Sequence, residues 1–369
     1  CTMDKLRTNI KDYFKSLSKQ DFIKLGLFLI PLIGIIFKSI LLQGYIQNSN
    51  PYDLDISLGY SKAQYFLSYY LAFTLLFLSF AFLFKNRGRV IYLFVIDIFI
   101  TALTLLDAMY FRGFLTVPSV LILTQTANLD NLGGTVFSML SSTDYLLFLD
   151  LVILGIYVFL TRNTYKKNSG KRAIKTFLVT FIVPLIYVAY VPFNINVLGN
   201  EDVHNAYLFD DYDPTNTCKY FTSVGYHIMD IYTVYRDSKP YTLTDEESKQ
   251  EEEYYEWKNE NLPDNEYAGI SKGKNLIVIQ VESLEDFVIG KSINGQEITP
   301  NLNKIINQSL YFPNIYEQVN EGTSSDWDLM INTSMLPLRR GCTFFRYPNT
   351  TYNSLPKILG SQGYSQISM

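Results

Sequence analysis

Two short stretches in the last third of the chain hold residue types that can do chemistry together. The first, Asn275-Leu-Ile-Val-Ile-Gln-Val-Glu282-Ser283, ends an apolar, β-branched run on a carboxylate. The second, Gly322-Thr323-Ser324-Ser325-Asp326, sets small hydroxyl residues ahead of a helical pattern marked by Leu329, Met330 and Met335. Free backbone N–H groups and the macrodipole at a helix start favour an anion and lower the cost of an alkoxide. In an open α/β sheet, ligands sit at the carboxyl ends of the strands, so Glu282 stands where a metal-binding acid belongs. An acid at 282 and an alcohol at 323 or 324, meeting on one cation, make half of a phosphoryl-transfer site. The plainer reading is that the hydroxyls only cap the helix.

Those residues need a scaffold. The turn-forming run Ser271 to Lys274 leads into a strand over Asn275–Val281, expected to be buried. Thr299-Pro300 marks a helix start, with Leu302, Ile305 and Ile306 as its apolar stripe. Leu310-Tyr311-Phe312 reads as a short strand. A helix to about Met335, a loop over Pro337–Gly341, a helix around Ser354–Leu359 and a final strand from Gly363 follow. Fewer than 100 residues come after Gly273. Covering both faces of such a sheet takes more, so the expectation is an incomplete α/β domain over residues 274–369.

Ahead of it, residues 194–273 are polar, aromatic and acidic. Thr244-Asp245-Glu246-Glu247 is a capping box opening a helix that Pro263 ends, and Glu251, Glu252 and Glu253 read as a solvated face. We expect this segment to be an outer helical linker.

Residues 1–193 are strongly apolar. Phe22–Leu42, Ala63–Phe84, Val90–Tyr110, Tyr145–Leu160 and Ile174–Val191 are five candidate membrane spans. Lys5, Arg7, Lys11, Lys15, Lys19 and Lys24 precede the first. Lys85, Arg87 and Arg89 lie between the second and third, and Arg162, Lys166, Lys167, Lys171, Arg172 and Lys175 flank the fourth and fifth. Residues 44–61 carry no Lys or Arg. The positive-inside rule therefore places the N-terminus in the cytoplasm and everything after Val191 outside. Lys38, Asp97, Asp107 and Asp150 fall within the spans. Lys38 and Asp107, near outer ends, are expected to snorkel or pair, and Asp97, deeper, is the better functional candidate. The loop from Phe111 to Asp144 predicts interfacial helices at Leu115–Pro118 and Leu129–Phe137, or a cover over the bundle.

The formal net charge of −4 hides this division. Cys1, Cys218 and Cys342 show no CxxC spacing, which gives neither a zinc site nor a disulfide framework, and unpaired thiols are expected. His204 and His227 are the only histidines, so no Cys/His catalytic set stands out. Topology alone accounts for the basic residues; nothing points to nucleic acid.

Taken in order, the motifs resemble the lipoteichoic acid synthases of Gram-positive bacteria. The matching set runs from Leu123-Thr124-Gln125-Thr126 and Gly133-Gly134 through Val281-Glu282-Ser283, Ile293-Asn294-Gly295 and Thr299-Pro300. It continues to Ser325-Asp326, Asn332 and Ser354-Leu355-Pro356. The resemblance implies a five-helix transmembrane bundle (1–193), the linker (194–273) and the N-terminal part of an extracellular sulfatase-like domain of the alkaline phosphatase superfamily. It implies transfer of glycerol phosphate from phosphatidylglycerol to a growing polyglycerolphosphate chain on a glycolipid anchor, through a covalent enzyme ester. The implied cofactor is Mn2+, or Mg2+, held by Glu282 and the nucleophile with an Asp-His pair that has no match before Met369. On that ground the chain by itself is expected not to turn over. Setting the family's Ser-Asp on Ser325-Asp326 puts Ser324 at the position of its catalytic Thr and Thr323 on a variable one. Ser324 is therefore the expected nucleophile, with Thr323 as the alternative. Cell-wall synthesis or division proteins are further implied partners. Competing functions are a primase or phosphoethanolamine transferase of the same architecture, or a non-catalytic scaffold or transporter that binds polyglycerolphosphate. A sulfatase proper is disfavoured, since no Cys-x-Pro-x-Arg signal is present.

Overall fold

A computed structural model describes residues 18–121, 138–165, 171–200, 202–210, 213–237, 242–261, 265–320, 322–338, 342–347 and 350–368. The chain divides into two compact units, Cys1–Asp237 and Ser238–Met369.

The first unit is helical. Its helices are α1 (Lys19–Ile46), α2 (Ile56–Ala63), α3 (Leu67–Leu78), α4 (Asn86–Phe114), α5 (Leu149–Tyr165), α6 (Ile174–Leu198), α7 (Tyr207–Asp210) and α8 (Pro214–Asp237). Five stretches are long and apolar enough to cross a membrane: Lys19–Ile46, Ile56–Leu83, Asn86–Phe114, Asp144–Tyr165 and Ile174–Leu198. They match the five expected spans. Local chemistry sets their ends. Ser18 and Asp21 form a reciprocal capping box before α1, and Asp55 accepts the Leu58 N–H to start α2. Gly199, in the left-handed conformation, stops α6. The second stretch is not one smooth helix: tight turns at Gln64–Phe66 and Ser79–Leu83 flank α3.

Leu27, Ile35, Leu78, Leu93, Ile100 and Leu154 fill the middle of this bundle. Beside them lies a cluster of charges. Lys38 of α1, 1% exposed, reaches Asp97 of α4 at 2.5 Å and Asp150 of α5 at 2.9 Å, and donates to Thr101. Lys38 pairs rather than snorkels. Gly34, one turn earlier, makes room for the Asp150 carboxylate, which a Cβ there would overlap. Farther along α4, Asp107 meets His227 of α8 at 2.9 Å. Arg112 grips Asp144 with two hydrogen bonds of 2.8 and 2.7 Å, under the ring of Tyr45.

α8 belongs to this unit. Thr222, with φ 71° and ψ 172°, kinks it. Phe221, just before the kink, packs on Tyr69 and Phe73; beyond it, Tyr226 donates to the Val117 carbonyl and Asp230 accepts from Ser119 and Val120. Val117 is buried against Tyr45, Ile46 and Tyr226. The stretch Leu115–Pro118 is thus a cover on the bundle and not an interfacial helix. The Leu129–Phe137 expectation lies outside the described residues. The segment read as one outer linker, 194–273, is divided: α7 and α8 fall in the first unit and α9 (Asp245–Asn261) in the second.

The capping box of α9 forms as the sequence predicts, with Thr244 N–H to Glu247 Oε2 at 2.8 Å and Glu247 N–H to Thr244 Oγ1 at 3.2 Å. Pro263 lies outside the described residues. A two-residue hairpin follows, β1 (Ser292–Ile293) against β2 (Gln296–Glu297). Its turn is Asn294-Gly295, both at positive φ (52° and 80°), as a tight hairpin requires. Helices α10 (Pro300–Ile306), α11 (Ser324–Thr333), α12 (Thr343–Arg346) and α13 (Leu355–Ser361) complete the unit. Asn303 of α10 accepts from the Gly290 N–H and donates to Glu297, tying the helix to the hairpin.

The expected strands differ. Residues 275–281 are unpaired, with Ile277 80% and Ile279 76% exposed, and residues 310–312 and 364–368 are likewise unpaired. A buried strand is defined by neighbours on both edges and layers on both faces. Among the described residues, none supplies them, so the sulfatase-like sheet is not formed here.

Candidate functional site

The site rests on two segments joined by a side-chain contact. The run 275–281 delivers Glu282, exposed, and the chain then turns at Ser283 with φ 56°. Forty-two residues on, Ser324 opens α11, and its Oγ donates to Glu282 at 3.0 Å from Oε1 and 3.1 Å from Oε2. The hydroxyl therefore faces both carboxylate oxygens.

Thr323 sits at the helix N-cap, but its hydroxyl makes no capping hydrogen bond. Its backbone lies at φ 48° and ψ −120°, a sparsely populated region for a β-branched residue, and strain of this kind gathers at functional sites. Thr323 is exposed, and the structure does not bring it to Glu282. The capping explanation of the two hydroxyls is not what the geometry shows.

The strained turn is held from below by Asp326. Fully buried, it accepts the backbone N–H groups of Asn320 at 2.9 Å and Gly322 at 3.0 Å through Oδ2. Any side chain at Gly322 would collide with this carboxylate, so glycine is required for the close approach. Ser325 donates to the Gly322 carbonyl at 2.6 Å and lies 3.0 Å from the Cys342 sulfur, linking the loop to the start of α12. Cys218 and Cys342 are both free thiols, as expected. The sequence marks Glu282, Thr323 and Ser324 by residue type. The holding role of Asp326 had no such mark, except that Gly322 stands four residues before it.

Glu282, Ser324 and Thr323 offer hard oxygen donors of the kind Mn2+ and Mg2+ take. The contact between the first two fits a shared cation. Among the described residues, no group of three His, Cys, Asp or Glu side chains gathers to complete a metal site.

Residues 8–243 match the model of the lipoteichoic acid synthase N-terminal domain. The chain belongs to the lipoteichoic acid synthase family. It is 31% identical over 346 residues to lipoteichoic acid synthase 2 of Bacillus subtilis (strain 168), covering 92% of this chain and 51% of that protein. It is 30% identical over 287 residues to lipoteichoic acid synthase of Staphylococcus aureus (strain USA300), covering 76% of this chain and 43% of that protein. The chain spans about half the length of these lipoteichoic acid synthases. No solved structure matches it. Membership in this family, with five apolar helices, makes the first unit the helical bundle of a multi-pass membrane protein. The family domain also takes in α7 and α8, in keeping with their packing on the bundle.

Proposed function

We propose that the protein transfers glycerol phosphate from phosphatidylglycerol to a growing polyglycerolphosphate chain, with Ser324 as nucleophile and Glu282 as its partner. The single observation that carries this reading is the pair of hydrogen bonds from Ser324 Oγ to Glu282, formed across 42 residues at the start of a helix. Family membership supports lipoteichoic acid synthesis as the setting of the reaction.

In this reading Ser324 Oγ attacks the phosphorus of phosphatidylglycerol. The hydroxyl proton leaves along the hydrogen bond that Ser324 already makes to Glu282. An Oγ–P bond forms and the bond to the diacylglycerol oxygen breaks; that oxygen takes the proton from Glu282 and leaves as diacylglycerol, with glycerol phosphate esterified to Ser324. The terminal hydroxyl of the acceptor then attacks the same phosphorus, its proton passes by way of Glu282 to Ser324 Oγ, and Ser324 is freed as the hydroxyl. The N–H groups and dipole at the start of α11 favour the charge that develops on the phosphoryl oxygens. A bound Mn2+ or Mg2+, held by Glu282 and Ser324, would supply charge neutralisation for the alkoxide and the transferring phosphoryl group. The distribution of Lys and Arg supports a cytoplasmic N-terminus and an extracellular second unit, where cell-wall acceptors lie.

The test is release of diacylglycerol from phosphatidylglycerol vesicles by the protein purified in the length its gene encodes. Ser324→Ala is expected to lower the rate by about a thousandfold or more, the scale of losing a covalent nucleophile. Thr323→Val is expected to keep most of it. The reverse pattern would make Thr323 the nucleophile, and full activity in both variants would remove the site from catalysis altogether.

A further inference from the structure

Lys38, Asp97 and Asp150 belong to the first unit, and the transfer reaction uses none of them. Lys38 is 1% exposed, Asp97 0% and Asp150 8%. The donors around them can be counted. A lysine ammonium has three N–H groups. Lys38 donates to Asp97 Oδ1 at 2.5 Å and to the Thr101 hydroxyl, and its nitrogen lies 2.9 Å from Asp150 Oδ2. All three are thereby engaged. Thr101 spends its own proton on the Asp97 carbonyl one turn back, and Asp150 Oδ1 accepts the Leu151 N–H. Asp97 Oδ2 receives no hydrogen bond among the described residues. Yet the carboxyl group of Asp150 is within hydrogen-bonding reach of Asp97. Two carboxylates have no hydrogen to place between them; a carboxylic acid beside a carboxylate has one.

The charges lead to the same count. One ammonium facing two carboxylates, +1 against −2, leaves −1 in a buried setting. Asp97 is acted on by no charge besides Lys38 and Asp150. Farther along α4, Asp107 is taken up by His227 of α8, and Arg112 by Asp144 ahead of α5. Tyr70 of α3 donates to the Lys219 carbonyl. An uncompensated buried charge is costly, and taking up a proton removes it. A metal ion is the poorer counter-charge, since it would sit against the Lys38 ammonium. Among the described residues, no group of three His, Cys, Asp or Glu side chains gathers to hold one.

We propose that Asp97 and Asp150 form a proton-binding site inside the membrane bundle, sharing one proton at neutral pH beside the Lys38 ammonium. Loaded, the cluster is neutral and Asp97 Oδ2 has its partner. Emptied, it sets two carboxylates against each other where α4 meets α5, so proton loss loosens the junction of α1, α4 and α5. Unfolded carboxyl groups are ionised at neutral pH. Folding therefore takes up a proton, and the stability of the bundle falls as pH rises. The site needs no part of the transferase reading.

The experiment is infrared difference spectroscopy of the purified protein, in the length its gene encodes and in an ester-free detergent. At neutral pH the wild type is expected to show the C=O band of a buried carboxylic acid, shifted in D2O. Asp97→Asn and Asp150→Asn are each expected to lose that band, because the remaining carboxylate then pairs one to one with Lys38. An ion-paired cluster without the proton gives the wild type no such band. Both variants keep the shape of the carboxyl group, and thermal unfolding shows that they remain folded; the wild-type band is read independently of them. The melting temperature is expected to fall as pH rises above neutral in the wild type, and to fall less in either variant. Absence of the band from the wild type would overturn the proposal. Its survival in either variant would also do so, by giving the proton to one carboxyl without the other. So would a band that appears only when sodium is removed, which would make the occupant a metal cation.

Discussion

Asp326 bonds its own backbone, and that fixes the conformation in which Thr323 and Ser324 are presented. Asp326→Ala leaves the N–H groups of Asn320 and Gly322 without their acceptor, a loss of about 1–3 kcal/mol for buried donors. Urea unfolding of the variant is expected to show it, and Asp326→Asn, which keeps an oxygen there, to lose less. Gly322→Ala is expected to cost at least as much, because its Cβ displaces the same carboxylate. Cys218 makes a separate prediction. Burial holds its thiol well above the ordinary value of 9.0, so the unfolded thiol ionises first as pH rises. Its contribution to stability is full below 9.0 and is lost as pH climbs toward the folded value. Maleimide labelling at Cys218 is accordingly expected to need unfolding. At this scale Glu282 and Ser324, the two residues that the structure brings into contact, are legible in the sequence from type and position. Asp326 is not, because a carboxylate that bonds backbone N–H groups leaves no pattern in side-chain types.

Among elements, α1, α4 and α5 are joined by a single ammonium between two carboxylates. Lys38→Met strands Asp97 and Asp150 together in a buried setting. Removing one partner of a buried ion pair costs about 3–5 kcal/mol, and thermal unfolding in detergent is expected to register a loss of that order. Hydropathy makes the five spans legible, because length and apolar composition are properties of each segment alone. The tight turns at Gln64–Phe66 and Ser79–Leu83 carry no Pro or Gly and were not. The strand at 275–281 shows the opposite case. Its β-branched sequence states a preference, but a strand exists only with a partner to bond, and pattern alone cannot provide one.

For the molecule entire, the distribution of cations makes the strongest statement, since 44–61 carry none while 85–89 carry three. A cysteine placed at Ser49, which is exposed, is expected to react with an impermeant thiol reagent in intact cells; one at Lys85 should react only after permeabilisation. The reverse pattern would invert the proposed topology. The division near residue 237 was only partly legible: composition changes after Asn194, but α8, polar and aromatic, packs on the bundle through Phe221 and Tyr226. Finally, the bare run from Leu276 to Val281 bears on handling. Five exposed apolar side chains on a stretch that pairs with no strand among the described residues form an adhesive edge. Residues 238–369 produced alone are expected to precipitate at modest concentration. Replacing Ile277 and Ile279 by Lys should keep them in solution, as light scattering would report.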